Sequence, residues 1–128
     1  MKIFRQISWF IVVGCAAAAT HWLVAVTCVA GFEVVPSLAN LIGWSVAVFV
    51  SFSGHYFLTF RLQKKSLLPA IRRFLVISAS GFAINEIAFV TLLKLTDIPY
   101  YLLLAIILLA IAALTFVFSR YWAFRDRS

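Results

Sequence analysis

The stretch Trp9–Ala30 reads WFIVVGCAAAATHWLVAVTCVA, 22 residues without an aspartate, glutamate, lysine or arginine. An α-helix rises 1.5 Å per residue, so about 20 residues cross a hydrocarbon core of about 30 Å. Lipid offers no partners to backbone N–H and C=O groups, and a helix pairs them internally. The stretch therefore predicts a transmembrane helix. Lys2 and Arg5 before it are also typical of a signal peptide, but the apolar run exceeds the usual core of about 7–15 residues, so we expect it to remain as a span.

Three further apolar stretches follow, at Ser37–Thr59, Phe74–Leu93 and Pro99–Ser119. Hydrophobic residues make up 65% of the 128 residues and charged residues only 12%. A water-soluble domain of this size must expose a large share of its residues, and this chain has too few polar residues to do so. We predict an all-α membrane protein, a single domain with four transmembrane helices.

The basic residues indicate the orientation of these spans. Lysine and arginine are enriched in the cytoplasmic connections of membrane proteins. The connections after the first and third spans contain a single basic residue, Lys94, and the other ten lie elsewhere. These ten are Lys2, Arg5, Arg61, Lys64, Lys65, Arg72, Arg73, Arg120, Arg125 and Arg127. We predict that both termini and a loop at about 62–73 are cytoplasmic. Because the basic residues form no continuous face, the net charge of +7 does not predict a nucleic-acid partner.

The sequence contains two copies of one unit at a spacing of 64 residues. Pro36 and Pro99 each precede a span, one residue out of step with that spacing. Each unit has two spans, so both copies enter the membrane from the same side and form a parallel repeat of helical hairpins, at about 9–61 and 74–125. The matched pairs are Phe10 and Phe74, Phe52 and Phe116, Phe60 and Phe124, and Arg61 and Arg125.

Polar side chains inside the spans are the candidate site residues, because each is costly in lipid and needs a partner or a use. They are His21, Asn40, His55, Asn85 and Glu86. The repeat aligns His21 with Asn85, which predicts a shared polar site at one depth. A charged side chain at the bilayer centre costs about 2.5–3.5 kcal/mol, so we expect Glu86 to be protonated, paired with His21 or lining a wet cavity. The alternative for all of them is a structural hydrogen bond between helices.

Arginines at the cytoplasmic ends of the spans are candidates for binding a lipid phosphate. Arg61, Arg120 and Arg125 follow the even-numbered spans, and Arg72 and Arg73 precede the third. The planar guanidinium fork matches two phosphate oxygens. Snorkelling to the lipid headgroups is the alternative for any single arginine. No arrangement typical of an enzyme, a metal site or a phosphate-binding loop occurs, so we expect a protein that is not an enzyme and has no cofactor.

The order of these features resembles the GtrA-like family of small bacterial membrane proteins. The resemblance covers Trp9 to Arg125 and includes the opening FIVVG at 10–14, the Pro36-x-x-Ala39-Asn40 entry and the closing FVFSRYWAFR at 116–125. In the family, the motif at the end of the second and fourth spans commonly contains asparagine followed by arginine. Here His55 and Ser119 occupy the asparagine positions, and Arg120 alone matches directly.

The resemblance implies that the protein flips a polyprenyl-phosphate-linked sugar from the cytoplasmic to the outer leaflet of the bacterial inner membrane, for surface polysaccharide assembly. Its expected partners are that lipid, other membrane lipids, a membrane glycosyltransferase and a second copy of the chain. The arginines would hold the phosphate, and the layer at His21, Asn85 and Glu86 would face the sugar. Two alternatives stay open: a proton-coupled exporter of small molecules that uses Glu86, and a non-transporting scaffold for the glycosyltransferase.

Overall fold

The computed structural model describes residues 2–59 and 67–118, and these ranges contain helices, short loops and no strand. The four α-helices are α1 (Lys2–Phe32), α2 (Pro36–Gly54), α3 (Leu67–Leu95) and α4 (Tyr100–Phe118), and a π-helical turn, His55–Thr59, continues α2. The all-α prediction is confirmed. Three of the helices are long and apolar enough to cross a membrane, and α4 contributes a shorter apolar segment, Tyr100–Leu114.

Two helices begin before the apolar stretches from which they were predicted. Helix α1 starts at Lys2 rather than near Trp9, and α3 starts at Leu67 rather than near Phe74. Hydropathy marks the part of a helix suited to lipid, whereas the helix itself continues as long as its backbone hydrogen bonds do. As a consequence Arg73, assigned to a loop by its sequence, lies in the second turn of α3.

Helices α1 and α2 pack antiparallel at very short range, because small residues face the partner helix. A Cβ atom added at Gly43 would lie 2.6 Å from the His21 carbonyl oxygen, and one at Gly54 would lie 2.5 Å from a Val13 methyl group. Ala47, one turn after Gly43, is also buried. Small residues at such spacing allow membrane helices to approach closely.

One end of the bundle, called here the packed end, is filled by apolar side chains from all four helices. Its buried cluster consists of Ala25, Ala39, Phe89, Leu103, Leu104 and Ile107. The opposite end, called the open end, contains the beginnings of α1 and α3 and the end of α2, since Phe52 contacts Phe74 and Phe10 stacks on His55. Large apolar side chains such as Phe49 cover the outside, as expected for a surface in contact with lipid.

Candidate functional site

A cavity of about 1930 Å³ lies between the four helices on the side of the open end. His21 and Asn85 are among the lining residues nearest the packed end, and Phe57 and Pro69 lie at the opposite extreme. Ile77 of α3 also lines it, although 71% of that residue is exposed, so the cavity is continuous with the outer surface of the bundle. Binding sites for small molecules usually enclose about 300–1,000 Å³. This cavity therefore has room for a larger ligand.

Asn40 joins three helices at the inner end of this cavity. Its Oδ1 lies 2.6 Å from Nε2 of His21 in α1. Its Nδ2 donates to Oδ1 of Asn85 at 2.7 Å and to Oε1 of Glu86 at 3.0 Å, both in α3. Asn40 is fully buried, and His21 and Asn85 are nearly so. We call these four residues the Asn40 hub.

The carboxyl group of Glu86 favours one direction for the hydrogen bonds of the hub. The two N–H hydrogens of Asn40 face the carbonyl oxygen of Asn85 and the carboxyl group of Glu86, which are acceptors. The reverse amide orientation would put oxygen against these oxygens. Asn40 Oδ1 therefore accepts, and Nε2 of His21 donates. Hydrogen-bond donation runs from α1 through α2 to α3.

Glu86 is tied to this hub but lies apart from the cavity wall. It is half-buried, whereas its neighbour Asn85 is buried and lines the cavity. The sequence left three options for Glu86, including a direct pair with His21. The structure instead places Asn40 between the two residues, and among the described residues that line the cavity Glu86 does not occur.

A second group of side chains lines the cavity one turn closer to the open end. The indole N–H of Trp44 donates to Oγ of Ser78 at 2.9 Å, and Phe82 stacks on Trp44 with 5.1 Å between the ring centroids. All three residues are partly buried and line the cavity. We call Trp44, Ser78 and Phe82 the aromatic layer.

His55 lies among aromatic rings near the open end. It stacks on Phe10 at 4.9 Å and contacts Phe74 at 6.3 Å between centroids, so the two phenylalanines matched by the repeat approach one imidazole. Its Nδ1 is 2.9 Å from Oγ1 of Thr59 within the π-helical turn. π-Helical turns are rare and frequently occur at functional sites. His55 lines the cavity but lies well away from the Asn40 hub along α2.

Arg73 is the arginine that the described part of the cavity wall contains. It is exposed. Arg61, Arg120 and Arg125, the arginines proposed from the sequence as phosphate ligands, lie outside the described residues. Within the ranges 2–59 and 67–118, no group of three histidine, cysteine, aspartate or glutamate side chains is placed to hold a metal ion.

The sequence-based reasoning missed the aromatic layer. Trp44 lies eight residues into α2, away from the membrane interfaces where tryptophan is usually enriched. The position of Trp44 inside a predicted span was the signal in the sequence that could have indicated the aromatic layer. The partners Ser78 and Phe82 carry no comparable signal, because serine and phenylalanine are ordinary residues of a transmembrane helix.

Comparison with known proteins places this arrangement in a family. The family model described as GtrA/DPMS, transmembrane domain, matches residues 9–124, which is nearly the whole chain. No curated protein and no solved structure shows significant similarity to the sequence. The match includes every residue of the Asn40 hub and of the aromatic layer, and on its extent the chain belongs to the GtrA/DPMS transmembrane-domain family.

Proposed function

We propose that the protein flips a polyprenyl-phosphate-linked sugar across the bacterial inner membrane, as a carrier and not as an enzyme. The family domain fits a role in glycosylation-related handling of lipid-linked sugars. The single observation that carries the finer proposal is the cavity of about 1930 Å³, which has a buried polar hub at its inner end and an arginine on its wall. A lipid-linked sugar needs these elements together with an apolar route for its tail.

The distribution of basic residues supports an orientation for this cavity. Ten of the eleven lie in the three segments that flank the spans on one side, which by the positive-inside rule is the cytoplasmic side. The open end of the bundle belongs to that side, since α1 begins there and α2 ends there. In this orientation the cavity accepts substrate from the cytoplasmic leaflet, and the packed end blocks its release to the other side.

The proton-coupled exporter receives less support from the geometry. Such an exporter requires a carboxylate that binds proton and substrate in turn, so its carboxylate must face the substrate. Glu86 is bonded to Asn40 and does not belong to the described cavity wall. The scaffold alternative predicts that the wild-type protein moves no lipid and that substitutions in the Asn40 hub are silent, so the same experiment tests it.

Transport in liposomes tests the proposal. Purified protein would be reconstituted with a fluorescent short-chain polyprenyl-phosphate hexose, and a membrane-impermeant quencher would report the fraction in the outer leaflet. We expect wild type to accelerate transfer and Glu86→Gln to slow it, because replacing the carboxyl group with an amide changes the group that accepts a hydrogen bond from Asn40. Glu33→Gln is the matched control, since Glu33 lies in the loop between α1 and α2. No acceleration by folded wild-type protein would contradict the proposal.

A further inference from the structure

The aromatic layer has the composition of a site for a sugar ring. The C–H groups on a face of a pyranose carry a small positive charge, and the faces of aromatic rings are negative. Trp44 and Phe82 are stacked on each other and both line the cavity. Ser78 Oγ accepts one hydrogen bond from Trp44, and a hydroxyl can accept another and donate one. The layer therefore offers a stacking surface beside a group that can bind a sugar hydroxyl.

Distances along α3 decide which part of the cavity a single sugar reaches. Arg73 precedes Ser78 by five residues, about 7.5 Å of helix, and precedes Asn85 by twelve, about 18 Å. A hexose phosphate spans about 7 Å from phosphorus to its far hydroxyl, being built of covalent bonds near 1.5 Å. This length matches the aromatic layer and falls far short of the Asn40 hub.

On the basis of the proposed function, we propose that the aromatic layer binds the sugar of a polyprenyl-phosphate monosaccharide while Arg73 binds its phosphate. The Asn40 hub then lies beyond the reach of the sugar in this state of the protein. The hub closes the inner end of the cavity and connects α1, α2 and α3. This assignment replaces the sequence-based expectation that the layer at His21, Asn85 and Glu86 faces the sugar.

Equilibrium binding to the protein in lipid nanodiscs tests the assignment with two probes. One probe is a short-chain polyprenyl-phosphate hexose, and the other is the same polyprenyl phosphate without sugar. We expect wild type to prefer the hexose lipid, and Trp44→Leu to weaken its binding about tenfold while binding of the bare lipid is retained. Trp44→Phe keeps a stacking ring and should restore most of the preference. Arg73→Ala should weaken both probes by the same factor.

Phe49→Leu is the matched control, because Phe49 lies on α2 but is 74% exposed and is not part of the described cavity wall. An equal loss of both probes in Trp44→Leu, without rescue by Trp44→Phe, would overturn the assignment. So would loss of the sugar preference in Asn85→Ala with Trp44→Leu unchanged, since the sugar would then bind at the hub. The two proposals can fail separately. If the protein shows a sugar preference that depends on Trp44 but moves no lipid, the proposed function is contradicted and this assignment stands.

Discussion

The pair α1–α2 and the pair α3–α4, which the sequence predicts to be two copies of one unit, pack differently. At the 64-residue spacing, Ala25 and Gly43 of the first pair correspond to Phe89 and Ile107 of the second. In the first pair these positions are in contact across the helices, since a Cβ atom at Gly43 would lie 3.4 Å from Cβ of Ala25. In the second pair both side chains are large and buried, with 1% and 6% exposure.

This difference shows how one pattern of spans can produce both a tight contact and a cavity. Small residues bring α1 and α2 together over most of their length, from Val13 against Gly54 to Ala25 against Gly43. Large residues hold α3 and α4 apart and fill the packed end. Toward the open end, α4 presents Ala112 and Ala113, which are exposed and line the cavity. The second pair is therefore filled where it has large side chains and hollow where α4 has small ones.

The largest expected effect comes from placing a large side chain at a contact position of the first pair, as the second pair has at the matched position. We expect Gly43→Leu to lower the free energy of unfolding by about 3 kcal/mol, because its side chain would collide with the backbone of His21 and force α1 away. Unfolding in mixed micelles of detergent and denaturing surfactant measures the change. Gly14→Ala is the control, since a Cβ there meets no atom within 4 Å. Equal stability of the two variants would show that the close approach of α1 and α2 is unimportant.

A smaller effect follows from removing the buried hydrogen bonds that Asn40 makes between the two pairs. Asn40→Leu leaves His21, Asn85 and Glu86 without their common partner. Three lost hydrogen bonds at about 0.6 kcal/mol each give an expected loss of about 2 kcal/mol in the same assay. Ser45→Ala should change stability little, because the Ser45 hydroxyl bonds a carbonyl of its own helix, and a similar loss in that control would argue against a special role of the hub.

The smallest expected effect comes from reducing the volume of one buried side chain in the second pair. Ile107→Val removes one methylene group from the packed end and should cost about 1 kcal/mol. Ile106→Val makes the same change in a neighbouring side chain that is 48% exposed, where lipid replaces the lost contacts, and should cost nearly nothing. A larger loss for Ile106→Val would mean that α4 is rotated relative to the structure described.

Much of this arrangement followed from the sequence, and the rest depended on geometry that spacing alone does not contain. The alignment of His21 with Asn85 predicted that they lie at one depth, and the structure joins both to Asn40. The role of Asn40 itself was not evident. It lies near the start of α2, and only the antiparallel packing of α1 and α2 brings it to the level of His21.

A wet cavity was one of the options predicted for Glu86, but the position of the observed cavity, whose described wall does not include Glu86, was not predicted. Hydropathy treats Gly43 and Ile107 alike as residues compatible with a span, and it carries no information on volume. The repeat provided the comparison that was needed, namely the exchange of small for large residues at matched positions. The aromatic layer was missed for a related reason. The repeat does not match Trp44 or Phe82 with an equivalent residue, and their rings come into contact only when α2 packs against α3.

The three-residue loop between α1 and α2 has a consequence for the order of assembly. Glu33 adopts a left-handed conformation with φ of 56°, and Val34 N–H returns to the Cys28 carbonyl, so the chain reverses within a few residues. The entropy of closing a loop grows with its length, and here it is close to its minimum. The first pair can therefore form while the second is still being synthesised. Until α3 arrives, the two N–H groups of Asn40 have no Asn85 or Glu86 to meet, so these hydrogen bonds form only when the two halves come together.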